Sequence, residues 1–354
     1  MKRFSRLFQM LMILSAIIFI ATGCSLWKSA DTTGGPIDPP PEEMQRWADE
    51  LTEADDGEVS LSDADGQTMA VTVYVLDPNG YVVPFGIDVP ATEGIAREAL
   101  KYMVRGGPVE ALLPEGFAPL LPEGTEVLGM NIKPEKRAIV DFSESFTHYD
   151  PKWERKILEA VVYTLTDFDS IDEVQLWVNG RVLKEMPLLG TPLEEYVGRN
   201  IGINLESTDG LHLSRSTPVT VYFQGETIDH RSYLVPVTRL VPLTEDRGRA
   251  SMEQLLKGPS SSTLLAPVAL PDTRILKLSQ QEDIVDVYFA DPTLESGEAL
   301  PASFLQSVVL SLTENTDASR VRIHIDGQTS VIGTDERDYS HPVTRPNRIN
   351  ALGI

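Results

Sequence analysis

The sequence predicts an α+β protein in which one small domain, a mixed sheet with two helices on one face, occurs twice. The main observation is an internal repeat, because residues 157–180 align without a gap to residues 304–327 at an offset of 147 positions. The identical pairs are Leu158/Leu305, Val161/Val308, Val162/Val309, Leu165/Leu312, Thr166/Thr313, Val174/Val321 and Gly180/Gly327. The length of 354 residues leaves room for two ordinary domains, and the hydrophobic share of 42% is enough for packed cores.

Each copy begins with two predicted strands. The first is VTVY at residues 71–74, repeated at residues 219–222 with an offset of 148. Its β-branched and aromatic side chains favour a pleated, half-buried surface. A second strand follows a turn, around Tyr81–Val89 in one copy and Tyr233–Val241 in the other.

The first helix is predicted at about Thr92–Arg105, and at about Thr244–Leu256 in the second copy. Threonine is a competent N-cap, so we expect Thr92 and Thr244 to start these helices. A glycine follows each one, and Pro108 or Pro259 then prevents the helix from resuming.

Two further strands and a second helix complete the pattern. The strands are predicted at Glu126–Ile132 and Arg137–Phe142, matched by Arg274–Leu278 and Ile284–Phe289. Asp150 and Pro151 supply a cap and a preset φ for the second helix, whose apolar residues Leu158, Val161, Val162 and Leu165 form one helical stripe. A last strand, Glu173–Val178 or Arg320–Ile325, precedes an Asn-Gly or Asp-Gly turn. Two helices over a short mixed sheet indicate an α+β domain.

The N-terminus has the features of an export signal. Lys2, Arg3 and Arg6 precede an apolar stretch, Leu7–Ile20, that is short for a membrane span. It ends in IATGC, whose small residues before Cys24 are typical of a bacterial lipobox. We therefore expect the thiol of Cys24 to carry a diacylglyceryl group, which would anchor the protein stably. The alternatives are a plain secretory signal or an uncleaved anchor.

The charge is strongly acidic, with a net value of −23. The first 23 residues carry three basic groups and no acid, so their removal would change the net charge to −26. Such a field repels nucleic acid, and no basic run offsets it, so no nucleic-acid partner is expected.

The segment after Cys24 has no sustained periodicity and contains Gly34-Gly35-Pro36 and a run of prolines, which predicts an acidic disordered tether. A short helix at Glu42–Leu51 is possible, and the calcium-like start at Asp63–Gly66 lacks the rest of that motif. The predicted domains are a signal peptide 1–23, a tether 24–69, repeat domains 70–200 and 215–333, and a C-terminal tail 334–354.

A search for catalytic and metal-binding patterns gives weak candidates only. The cysteine is assigned to the lipid, no Gly-x-Ser-x-Gly occurs, and Ser25–Lys28 matches Ser-x-x-Lys within the tether. The histidines lack zinc-site spacing: His148, His212, His230, His324 and His341. The loop 256–263 has the wrong order for a phosphate loop, and the acid pair Asp141 and Glu144 could serve a glycosidase only at a suitable separation. We expect no catalytic residue, no cofactor and no metal.

Several segments together resemble the sporulation and germination protein GerM family. They are the lipobox, VTVYF at 219–223, YLVPVTR at 233–239, QLLKGP at 254–259, LPDT at 270–273 and HPVTRP at 341–346. The resemblance covers both repeats and the anchor. It implies tandem domains similar to ring-building domains, in a lipoprotein that supports a transenvelope channel in the space between mother cell and forespore. It also implies that the protein is not an enzyme.

The leading expectation is thus a membrane-anchored interaction protein on the extracytoplasmic face. Its expected partners are envelope or sporulation channel proteins, and a ring-like homo- or hetero-oligomer is implied by the resemblance alone. The alternative is a lipoprotein that binds a wall polymer or small ligand at the junction of the repeats.

Overall fold

The computed structural model describes residues 68–206, 215–291 and 297–351. The predictions for the signal peptide, Cys24, the tether helix and the calcium-like segment lie outside these residues. Within the described ranges, no helix is both long enough and apolar enough to cross a bilayer.

The two copies share the order strand, strand, helix, strand, strand, helix, strand, and the first copy has one more short strand at its end. The first contains β1 Thr68–Leu76, β2 Val82–Pro90, α1 Ile95–Tyr102, β3 Val127–Lys133, β4 Arg137–Phe142, α2 Glu154–Leu165, β5 Glu173–Val178, β6 Arg181–Val182 and β7 Val197–Gly198. The second contains β8 Ser216–Glu226, β9 Ser232–Pro242, α3 Arg247–Lys257, β10 Arg274–Gln281, β11 Ile284–Ala290, α4 Ala302–Asn315, β12 Arg320–Ile325 and β13 Val343–Thr344. The α+β class and the duplication are confirmed, and seven strands match their predicted bounds to within one residue at each end: β2, β3, β4, β5, β9, β11 and β12.

The strands of each described repeat pair as two sheets, where the sequence predicted one mixed sheet. β1 and β2 form an antiparallel hairpin, and β8 and β9 form its counterpart. The mixed sheet has β3 antiparallel to β4 and β4 parallel to β5, repeated as β10, β11 and β12. Side chains of the second helix occupy the outer edge of the hairpin, because Thr164 Oγ1 and Ser311 Oγ accept from the backbone N–H of Tyr74 and Tyr222. The hairpin therefore stays separate.

The second helix of each repeat is buried against two neighbours. The predicted apolar stripe of α2 is buried as expected, from Leu158 to Leu165. Glu159 and Thr164, on other faces of the helix, are also buried. The helix α2 packs against β1 and β2 as well as against β5. This packing on more than one side explains why both its apolar stripe and its polar residues are buried.

The predicted caps of the first helices are wrong. α1 begins at Ile95 after Gly94, which makes no side-chain cap, so Thr92 lies outside the helix. In the second copy the cap is Asp246, whose carboxylate accepts from the N–H of Arg249. Thr244 lies two residues earlier and accepts from the N–H of Asp246, which is a turn contact that competes with capping.

The predicted start of the second helix is confirmed. Asp150 accepts from the N–H of Lys152, and the short 3₁₀ turn Pro151–Trp153 leads directly into α2. Gly258 ends α3 with a φ of 79°, as predicted, whereas α1 already ends at Tyr102.

Candidate functional site

The acid pair singled out in the sequence has structural partners. Asp141 accepts from the N–H of Gly180 at 3.0 Å, and Glu144 accepts from the amide of Asn179 at 2.8 Å. Both carboxylates therefore bind the turn that follows β5. In this arrangement they position a loop.

The histidines lie apart from one another in the part of the chain that the structure describes. His324 stacks on Tyr288 with 4.2 Å between ring centroids and contacts Asp286 at 2.9 Å, as expected for a strand residue with one solvated face. His230 contacts Glu226, and His341 contacts Asp338. His212 lies outside the described residues. Among the described residues, no group of three or more His, Cys, Asp and Glu is placed to hold a metal ion.

The loop 256–263 is held by its own hydroxyl groups. Thr263 Oγ1 donates to the carbonyl of Ser260 at 2.7 Å, and Ser260 Oγ lies 3.0 Å from Ser262 Oγ. These contacts form a surface turn after α3, in agreement with a residue order that disfavoured a phosphate loop.

The most organised polar cluster lies between the two repeats. Arg199, from the end of the first repeat, contacts both carboxylate oxygens of Glu314 on α4, at 3.0 and 2.7 Å. Arg345, from the end of the second repeat, contacts the same carboxylate at 3.1 Å. The Glu314 side chain is only 5% exposed. Burial alone would raise the pKa of this carboxyl, but the two guanidinium groups outweigh it and hold the pKa below its ordinary value.

Each arginine also holds the second helix of its own repeat. Arg199 donates to Thr166 Oγ1 at 2.9 Å and pairs with Asp167 at 3.0 Å. Arg345 makes the equivalent contact to Thr313 Oγ1 at 3.0 Å. Since Thr166 and Thr313 are related by the 147-residue repeat, the two arginines are equivalent residues.

Aromatic rings complete the cluster. The guanidinium of Arg199 lies 4.8 Å from the ring centroid of Tyr163, and that of Arg345 lies 6.0 Å from the ring centroid of Tyr222. Tyr74 is fully buried and meets Tyr163 edge-on at 5.5 Å. Because these side chains fill the centre of the junction, that centre is a packed core.

Two asparagines join the hairpins of the two repeats. The amide of Asn204 accepts from the N–H of Val82 at 2.8 Å and donates to the carbonyls of Val82 and Pro236 at 2.7 and 2.8 Å. Val82 belongs to the first repeat and Pro236 to the second. One side chain thus satisfies backbone groups of both.

Asn350 repeats this arrangement with the roles of the repeats exchanged. It accepts from the N–H of Leu234 at 2.7 Å and donates to the carbonyls of Leu234 and Pro84 at 2.8 and 2.9 Å. Both asparagines have a positive φ, 47° for Asn204 and 54° for Asn350, which this residue type tolerates better than most. The junction therefore has approximate two-fold symmetry.

Backbone hydrogen bonds also cross between the two repeats. The N–H of Gly86 in β2 donates to the carbonyl of Ile349, and the N–H of Thr238 in β9 donates to the carbonyl of Ile203. Each repeat thus ends in a segment that crosses to the hairpin of the other. We call residues 197–204 and 343–350 the closing segments.

The closing segments were not predicted from the sequence, although a signal for them is present. At an offset of 146, one residue away from the offset of the main repeat, VxRxxxIN occurs twice: Val197/Val343, Arg199/Arg345, Ile203/Ile349 and Asn204/Asn350. The second copy lies in the segment assigned above as a tail. Tyr339, Val343 and Ile349 of that segment are buried in the fold.

A separate buried carboxylate holds the loop after β6. Glu154 accepts from the N–H groups of Leu188, Leu189 and Thr191, from the Thr191 hydroxyl, and from the Tyr149 hydroxyl, all between 2.7 and 3.1 Å. Burial would raise its pKa, but these donors outweigh that effect and lower the pKa to about 2.

The stabilisation from Glu154 should depend on pH. A lowered folded pKa stabilises the protein fully above the ordinary value of 4.5, and this contribution is lost as the pH falls from 4.5 towards about 2. We expect Glu154→Gln to lower the free energy of unfolding near neutral pH by about 3 kcal/mol. Urea unfolding at a series of pH values should show the difference from the native chain shrinking in that window. A difference that stays constant with pH would contradict this assignment.

Comparisons with known proteins agree on one family. The Germane family model, described as sporulation and spore germination, matches residues 72–184 and 220–331. The spore germination protein GerM of Bacillus subtilis (strain 168) is 34% identical over 347 residues, which cover 94% of each chain. The solved structure of the tandem GerMN domains of the sporulation protein GerM from Bacillus subtilis is similar with a TM-score of 0.74 and 36% identity, over 81% of this chain and 100% of that one.

Proposed function

Because the chain belongs to the Germane family of sporulation and spore germination proteins, we propose that it acts in sporulation as a non-enzymatic, lipid-anchored scaffold. In this proposal it stabilises a transenvelope channel or ring complex through protein–protein contacts. It does so on the extracytoplasmic face of the membrane, in the space between mother cell and forespore.

The observation that carries the proposal is the shared junction. Each closing segment crosses to the other repeat, and Glu314 is bound by an arginine from both. Two domains joined in this way keep a fixed spacing and orientation. A fixed pair of surfaces suits a protein that holds other components in register, and it has no advantage for a freely hinged ligand trap.

The chemistry of the described residues supports a role without catalysis. The acid pair and the histidines discussed above are engaged in loop and strand contacts. The wall-polymer or small-ligand alternative placed its site at the junction, whose centre is occupied by tyrosine rings and ion-paired side chains. The net charge also disfavours anionic wall polymers.

The anchor in this proposal is Cys24. The spacer that follows, residues 24–67, carries twelve acids and two basic residues, a net charge of −10. In this proposal the spacer is the disordered tether that its composition predicts, and such a chain would have an r.m.s. span of roughly 35 Å. Such a spacer would hold the repeats away from the lipid headgroups while keeping them close to the membrane.

Replacing Cys24 with Ala tests the anchor. We expect the native chain to partition into the detergent phase and Cys24→Ala to move to the aqueous phase or remain as a larger uncleaved precursor, since two acyl chains are what retain the protein. Phase partitioning and gel mobility measure both outcomes, with Ser25→Ala as the matched control that should behave like the native chain. Unchanged partitioning and mobility of Cys24→Ala would refute lipidation.

A further inference from the structure

The outer edge of β1 differs from its counterpart in the second repeat. In β1, Tyr74 lies opposite Pro84, which has no N–H to donate, and the N–H of Tyr74 points away from β2 to Thr164 Oγ1. Strand geometry alternates, so the backbone groups of Thr72 and Ala70 also point to the outer edge.

In the second repeat this edge is closed by two residues. The side-chain amide of Asn315 accepts from the N–H of Thr220 at 3.0 Å and donates to its carbonyl at 2.6 Å, as a neighbouring strand would. Two residues earlier, Pro218 offers no N–H to the outer edge. Amide pairing and proline are both ways in which proteins block strand addition.

In the first repeat both blocking residues are replaced. By the repeat offsets, Ala70 stands where the second copy has Pro218, and Phe168 stands where it has Asn315. Ala70 is exposed, and Thr72 forms the floor of a groove of about 520 Å³. The groove is also lined by Asp167, Phe168 and Asp169, and by Arg345, Pro346, Asn347 and Ile349 of the second closing segment.

We propose that the outer edge of β1, at Ala70 and Thr72, binds an extended basic segment of a partner protein by strand addition. The backbone groups of this edge supply hydrogen bonds, and Phe168 supplies an apolar contact for a side chain of the added strand. Asp169 is exposed in the groove and attracts basic side chains. Asp167 and Arg345, which also line the groove, are ion-paired with Arg199 and Glu314. This inference rests on the proposed scaffold function and names the chemistry of one of its partners.

The chain's own spacer is a poor occupant of this edge. It enters β1 at Thr68, next to the groove, but residues 24–67 carry a net charge of −10. Placing that segment beside Asp167 and Asp169 would bring like charges together. An intermolecular basic segment meets no such repulsion.

The test uses the full chain in detergent and a displayed library of random heptapeptides. Peptides are selected on the native chain after depletion on Ala70→Pro/Phe168→Asn, which rebuilds the closed edge of the second repeat. The expected result is enrichment of sequences that alternate Lys or Arg with β-branched residues.

Fluorescence anisotropy of the best labelled peptide should show binding weakened about tenfold or more by Ala70→Pro. Asp169→Lys should also weaken it, and high salt should do the same.

Three results would overturn the inference: no enrichment over the depleted background, equal affinity for the native chain and the closed-edge variant, or enrichment of acidic sequences. Thermal unfolding checks that Ala70→Pro still folds, and Pro218 shows that this strand position accepts proline. The single variant Phe168→Asn provides a second measure, because it adds the competing amide and leaves Ala70 in place. Failure of this peptide-binding test can be distinguished from failure of the proposed function. The proposed function is tested with Cys24→Ala, an experiment that does not involve Ala70 or Phe168.

Discussion

Replacing Glu314 with Gln is expected to lower the free energy of unfolding by about 3–5 kcal/mol. The carboxylate is 5% exposed and is bound by Arg199 and Arg345. An amide of the same shape would leave two partly buried guanidinium groups without their shared anion, which is the costly way to break a buried ion pair. Urea unfolding of the full chain, followed by circular dichroism, measures the loss.

The matched control is Asp167→Asn. Asp167 is the equivalent carboxylate of the first repeat, contacts Arg199 alone, and has a side chain that is 22% exposed. Its replacement leaves Arg199 bound to Glu314, so we expect a loss of about 1 kcal/mol or less. Similar losses for the two variants would mean that Glu314 is not the centre of the junction.

Replacing Asn204 with Ala is expected to cost about 2–4 kcal/mol. The change removes the partners of the N–H and carbonyl of Val82 and of the carbonyl of Pro236, and unsatisfied buried backbone groups are expensive. It also places Ala at a φ of 47°, which adds a conformational cost of about 1 kcal/mol. Thermal and urea unfolding of the full chain measure the sum.

Asn204→Gly separates the two contributions. Glycine loses the same hydrogen bonds but accepts the positive φ without strain, so it should be less destabilising than Ala. The double variant Asn204→Ala/Asn350→Ala should in addition separate the unfolding of the two repeats, because both amide bridges are lost. If that variant still unfolds in a single transition with the native m-value, the bridges do not couple the repeats.

The sequence predicted the elements well where local pattern determines them. β4, β5 and β12 begin and end where the alternation of residue types placed them, and the apolar stripe of α2 is buried. The internal repeat predicted two repeated domains, because two copies with the same pattern of elements fold in the same way. The predicted cap at Thr244 failed because its hydroxyl makes a competing local contact to Asp246, which the residue type alone does not reveal. Thr92 lies outside α1, which begins after Gly94 without a side-chain cap.

Local sequence patterns did not predict the junction between the two repeats. It depends on polar residues in segments without regular periodicity, and Arg199, Asn204 and Glu314 are residue types normally found at the surface. Their burial depends on contacts that include pairs more than 100 positions apart, namely Arg199 with Glu314 and Asn204 with Val82. The separation of each repeat into two sheets has a similar origin, since it depends on which side chains reach the hairpin edge. A comparison of the two copies at an offset of 146 would have revealed the closing segments.

The most direct test of the central claim is the number of heat-resistant spores that the native host forms with the intact chain, without it, and with Cys24→Ala. A lipid-anchored sporulation scaffold predicts that Cys24→Ala lowers the count to that of cells lacking the chain, while Ser25→Ala leaves it at the native level. A full count with Cys24→Ala, or in cells lacking the chain, would contradict the account.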